Sequence, residues 1–134
     1  MCLVAINGFF VVAEFSLVRV RKTRLEELVH QGNIRAKLTM RIVSAIDTYL
    51  SAIQLGVTLA SLALGWLGEA AIASLLEPAL RFFAPDSMLL AHSVSIIIGF
   101  TLITLMHVVL GELIPKSLAI QQTEKMALLV SRPL

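Results

Sequence analysis

Apolar residues along this chain come in three long blocks rather than at the short intervals of a soluble domain. The first block covers residues 1–18 with Glu14 as its one charge; the blocks at 48–68 and 87–111 carry none. Eighteen helical residues reach roughly 27 Å, close to the hydrocarbon thickness of a bilayer, and the two longer blocks exceed it. The pattern predicts an all-α integral membrane fold of three transmembrane helices, the first looking clipped at its N-terminal end. Between the first two blocks, Leu25, Leu28, Val29, Leu38, Ile42 and Val43 recur at helical spacing among charged residues. That spacing suits amphipathic helices lying at the membrane interface, and Gly32-Asn33 splits the segment in two. Beyond the second block, Leu75, Leu76, Leu80, Phe82 and Phe83 with Pro78 suggest a short helix lying at the opposite surface. Trp66 stands where an interfacial anchor belongs.

Composition supports lipid as the solvent. The 134 residues are 57% hydrophobic and 15% charged, where soluble domains carry about 25% charged residues. The distribution of charge says more than its sum of +2. Arg19, Arg21, Lys22, Arg24, Arg35, Lys37 and Arg41 lie between the first two blocks, and Arg81 alone between the second and third. Lys116, Lys125 and Arg132 follow the third. Basic residues stay on the cytoplasmic side, so the N-terminus is expected outside, the first loop and the C-terminus inside, and 69–86 outside. The basic loop, interleaved with apolar residues at helical spacing, suits anionic lipid headgroups and not a nucleic acid. Cys2, the single cysteine, excludes a disulfide framework and a thiolate zinc cluster. No basic leader precedes the first block, which Asn7 and Glu14 interrupt, so it does not read as a signal peptide.

The polar residues inside the blocks are the candidate chemistry. In the second, Ser51, Gln54, Thr58, Ser61 and Gly65 are spaced 3, 4, 3 and 4 and share one helical face. They would either hydrogen-bond to neighbouring helices or line a cation path. Ala52, Gly56 and Ala60 form a small-residue row on roughly the opposite face, which suits close helix packing. The first block places Asn7 and Glu14 on one face, two turns apart, with Arg19 near enough along the axis to partner Glu14. The third contains Thr101, Thr104, His107 and Gly111, with Glu112 and Pro115 directly after it. Proline has no N–H to give the carbonyl four residues back, which is that of Gly111. A freed carbonyl beside the Glu112 carboxylate, at membrane depth, is a way to hold a cation. His107 reads as a hydrogen-bonded packing residue. Carboxylate, hydroxyl, amide and carbonyl oxygens without thiolates suit hard ions such as Mg2+, Ca2+ or Na+. His107 and Glu112 do not form HExxH, and no serine or cysteine has a base at hand, so an intramembrane enzyme is not expected.

At these residues the chain resembles the transmembrane domain of the CorC/CNNM family. The likeness rests on Asn7-Gly8-Phe9-Phe10 through Ala13-Glu14-Phe15-Ser16-Leu17-Val18 and on Arg24-Leu25-Glu26. It continues with Tyr49-Leu50-Ser51-Ala52-Ile53-Gln54-Leu55-Gly56, Thr58-Leu59-Ala60-Ser61 and Gly111-Glu112-Leu113-Ile114-Pro115-Lys116. It covers essentially the whole chain, 1–134, as one domain. The resemblance implies a homodimeric, multi-pass transporter of the cell membrane, a bacterial inner membrane, that exports Mg2+ driven by Na+. It also implies cytoplasmic CBS domains after this one, absent from this chain, so the chain resembles an excised membrane domain. Carried over by position, the ion ligands are Asn7, Ser51, the Gly111 carbonyl and Glu112. The family's best-studied branch has asparagines shortly after the glycine matching Gly56, where this chain has Val57, Thr58 and Ser61. That leaves Gln54, Thr58 or Ser61 to supply the missing oxygen, with Gln54 added to the expected metal set, or it signals another substrate. Some bacterial relatives are linked to polyamine export, and a membrane anchor for CBS domains that transports nothing is the alternative of a different class.

Overall fold

The computed structural model of the chain describes the backbone of residues 1–83 and 88–134; the side chains at positions 69, 73, 77 and 79–91 lie outside the description. Every regular element among the described residues is helical. Helix α1 spans Cys2–Arg19, and the basic segment forms α2, Lys22–His30, and α3, Ile34–Ser44. The break between α2 and α3 falls where the sequence put it. Gly32 takes φ +82°, a left-handed conformation that costs glycine little, and the Asn33 side chain caps α3 by accepting from the Arg35 and Ala36 amides. The chain then runs through α4, Ile46–Phe83, and α5, Met88–Met106. A π-helical turn, His107–Leu113, leads without interruption into α6, Ile114–Gln121, and α7, Thr123–Val130, follows.

Three helices are long and apolar enough to cross a membrane: Cys2–Arg19, Ile46–Leu76 and His92–Gln121. This is a multi-pass membrane fold. Helix α1 is the most enclosed, with 39% of its apolar window buried against 12% and 17% in the other two. Helix α4 divides its faces at spacings of 4, 3 and 4. Ile53, Val57, Ala60 and Leu64 turn toward the protein, while Leu55, Leu59, Leu62 and Trp66 are exposed on the far side. An exposed apolar stripe of that kind is at home in lipid, and Trp66, 80% exposed, suits its anchoring role.

Two expected boundaries move. The surface helix expected over Leu75–Phe83 is no separate element, because α4 continues unbroken for 38 residues. Nothing in Glu69–Leu76 stops a helix, since alanine, leucine and glutamate are strong helix formers, and Pro78 is carried inside it. At 1.5 Å per residue α4 measures about 57 Å, so it outruns the bilayer core or tilts strongly. The side chains of Leu80, Phe82 and Phe83 lie outside the described residues, as does the expected start of the third span at Ser87. That span also does not end at Gly111 but runs on through Pro115 to Gln121.

A buried apolar cluster gathers at the Arg19 end of α1. There Leu17, Val20, Leu25, Ile42, Ile53 and Val130 belong to one buried cluster drawn from α1, α2, α3, α4 and α7. The same end is tied by Arg24 of α2, which bonds Glu27 at 2.7 Å and Glu124 of α7 at 3.1 Å. Those bonds, Glu27 first and Glu124 second, raise the guanidinium pKa above its ordinary value. Higher up, Gly56 of α4 receives the Phe10 ring, whose atoms lie 2.6 Å from where a Cβ would stand. Of the Ala52/Gly56/Ala60 row, Gly56 thus packs against α1 and Ala60 is buried, while Ala52 is exposed.

Candidate functional site

One polar node lies among the three crossing helices, and Asn7 is its centre. The residue is 1% exposed on the inward face of α1, beside the buried Val4 and Val11. An amide so enclosed must find partners, since an unpaired buried polar group costs about 1–3 kcal/mol. Its Nδ2 donates to the Gly111 carbonyl oxygen at 3.0 Å and lies 3.1 Å from His107 Nε2. Its Oδ1 accepts from Ser61 Oγ of α4 at 3.3 Å, and Ser61 Oγ is also 3.3 Å from His107 Nε2. An amide nitrogen only donates, so His107 Nε2 is the acceptor in this contact. Among the described residues no buried side-chain nitrogen or oxygen lacks a partner.

The local sequence explains why a carbonyl is on offer. In the π-helical turn the Ile114 amide reaches back five residues, to Val109. Pro115, next along, has no hydrogen to give, and Gly111 O takes one from across the helix interface instead. Gly111 makes the approach possible: a Cβ there would stand 3.0 Å from His107 Cδ2 and 3.2 Å from Asn7 Nδ2. Gly8 does the reciprocal service, since its own Cβ would meet Pro115 Cγ at 3.1 Å. The Asn7-Gly8 pair of α1 is therefore seated against the Gly111–Pro115 stretch.

Of the five residues expected to hold a metal, the structure brings Asn7 and Gly111 together. Ser51 and Gln54 are exposed on α4, with the Ser51 hydroxyl bonded to the Asp47 carbonyl at 3.0 Å. They belong to a polar row centred roughly 100° from the buried face of α4, and Ser61 is the member that borders that face. Thr58, also exposed, spends its hydroxyl on the Gln54 carbonyl. Glu112 is exposed and makes no hydrogen bond or ion pair among the described residues, although it lies within the third span. Glu14 does not pair with Arg19: five residues apart, the two point about 140° from each other around α1. His107 and Ser61 complete the node. The sequence showed His107 as a hydrogen-bonding residue and Ser61 as one of several polar positions, but not their convergence on Asn7. No three His, Cys, Asp or Glu residues gather as a metal cluster among the described residues. The oxygens the node itself offers are neutral: the Gly111 carbonyl, the Asn7 amide and the Ser61 hydroxyl.

The fold and its node define a three-span helical membrane domain with a buried amide–imidazole–carbonyl contact at its centre. The chain belongs to the CNNM family: the profile described as the Cyclin M transmembrane N-terminal domain matches residues 1–134. It is 48% identical over 133 residues to the UPF0053 protein YhdT of Bacillus subtilis, covering 98% of this chain and 28% of that protein. It is 43% identical to the UPF0053 protein YhdP of the same bacterium, over 98% of this chain and 30% of that one. With the uncharacterized protein Rv1841c of Mycobacterium tuberculosis the identity is 37%, over 99% of this chain and 37% of the relative. The chain thus spans about a third of the length of the relatives it matches.

Proposed function

We propose that this domain moves Mg2+ across the cell membrane, as Na+-coupled export, through the node at Asn7. The observation that carries the reading is the Asn7 Nδ2 bond to the Gly111 carbonyl. An N–H on a carbonyl freed by proline occupies the position a cation would take. Rotation of the amide would bring Oδ1 to an arriving ion in place of Nδ2, adding to the oxygens of Ser61 and Gly111. Neutral oxygens cannot balance two positive charges in a low-dielectric setting, and Glu112 is the carboxylate next to that carbonyl. Its exposure, with that of Ser51 and Gln54, supports a homodimer in which a neighbouring copy covers these faces. Ten of the eleven basic residues, all but Arg81, support an N-out, C-in orientation. In the whole protein, cytoplasmic CBS domains would occupy part of the length that the relatives have beyond the matched region.

A second reading has its own observation. Every group of the node is already hydrogen-bonded, which would suit a membrane anchor as well as a path. Flux separates the two. In proteoliposomes bearing a Mg2+-sensitive dye and an opposing Na+ gradient, the parent should move Mg2+ and Asn7→Ala should not. An anchor would give no flux from either, and flux of spermidine without Mg2+ would transfer the site to an organic cation.

A further inference from the structure

A basic pocket and an apolar groove lie along the same seam between α1 and α7. The pocket, about 250 Å³, is lined by Arg19, Arg21, Arg24, Thr123 and Glu124. The groove, about 490 Å³, is lined by Val4 and Val12 of α1, Leu118 of α6, and Met126 and Leu129 of α7. On α1 the two lie along one helical face. Val12 and Arg19 are seven residues apart, two turns on one face of α1 and about 10 Å along its axis. Between the two cavities Lys116 stands with its ammonium 4.5 Å over the Phe15 ring.

The charges there are unequally spent. Arg24 is engaged by Glu27 and Glu124. Arg19 and Arg21 are exposed and make no ion pair or side-chain hydrogen bond among the described residues, and Lys116 meets only the aromatic face. Two uncommitted cations, Arg19 and Arg21, therefore line one pocket at the end of a membrane span, where lipid phosphates lie. Lys116 stands over Phe15 one turn back from Arg19 along α1, and the apolar groove extends along α1 toward the membrane interior. We propose that this seam binds one anionic phospholipid. Its phosphate is held by the Arg19 and Arg21 guanidinium groups, which can grip phosphate oxygens in pairs, with Lys116 at the glycerol level. An acyl chain lies in the groove against the adaptable Met126 side chain. From Val12 to Met1 the groove offers about 16 Å, a length suited to much of a fatty-acyl tail. Glu124 opposes the phosphate, and its pairing with Arg24 blunts that opposition.

The test uses the purified chain in an uncharged detergent, with lipid retention read by native mass spectrometry. Phosphatidylglycerol should stay bound at one per chain in preference to phosphatidylcholine. The double variant R19Q/R21Q should weaken retention about thirtyfold, as expected for two arginines at a lipid surface. Glu124→Gln should strengthen it. Ala5→Trp, at a groove position, should lower retention of long-chain lipid with unchanged oligomer size. Equal retention of the two lipids by the parent, or full retention by R19Q/R21Q, overturns the proposal. Displacement of the lipid by millimolar inorganic phosphate would make the pocket a site for soluble phosphate and overturn the lipid assignment. If Ala5→Trp changes oligomer size and leaves lipid bound, a second copy fills the groove and the lipid is elsewhere.

Discussion

Asn7 carries more structural consequence than any other residue of the node. Its amide satisfies the Gly111 carbonyl, the His107 ring and the Ser61 hydroxyl at once. Asn7→Ala would strand the carbonyl and the imidazole, and should destabilise the domain by about 1–3 kcal/mol. A thermal melt in detergent checks this; an unchanged midpoint would mean that water or rearrangement replaces the amide. Ser61→Ala should cost less, because it removes the longer contacts at 3.3 Å and leaves the Asn7 amide bonded to Gly111 and beside His107. Part of this was legible in the residues themselves. Proline four positions after Gly111 announces a free carbonyl, and asparagine in an apolar span announces a need for partners. What the chain does not announce is which partner meets which, since Asn7 and Gly111 are 104 positions apart.

Helix pairing supplies that missing information. The fit of Phe10 into Gly56 sets the distance and height of α4 on α1, and so brings Ser61 to Asn7. Gly56→Leu would force the Phe10 ring aside and should cost about 1–3 kcal/mol as overpacking. Gly65→Leu, where a Cβ meets nothing within 4 Å, should leave the melt nearly unchanged. Equal melts for the two variants would remove Gly56 from the packing account. Pro115→Ala returns an N–H to the helix, which competes with Asn7 for the Gly111 carbonyl. It should reduce transport less than Asn7→Ala, because it removes neither the amide nor any charge. The three spans and the Gly32-Asn33 break were readable from periodicity. The length of α4 was not, because Gly65 and Gly68 imitate a helix end while Ile103 of α5 packs where a Gly68 side chain would be. Helix α7 was also hidden, since its eight residues show a helical face only when Ala127 and Val130 have α1 and α3 to bury against.

At the scale of the whole molecule, orientation in the membrane follows from the placement of the basic residues. With Cys2 replaced by serine, cysteines placed at 31–37 should react with a membrane-impermeant reagent only after permeabilisation. Those placed at 84–88 should react from outside. The reverse pattern would invert the topology drawn from the basic residues. The central claim, that a cation sits at the Asn7–Gly111 node with Glu112 as its charge, meets its most direct test in Mg2+-dependent thermal stabilisation of the purified domain. Millimolar Mg2+ should raise the melting midpoint of the parent and of Glu14→Gln, and should leave Asn7→Ala and Glu112→Gln unmoved. If Glu112→Gln responds to Mg2+ like the parent while Glu14→Gln has lost the response, the ion lies at the Arg19 end of α1 and the account is wrong.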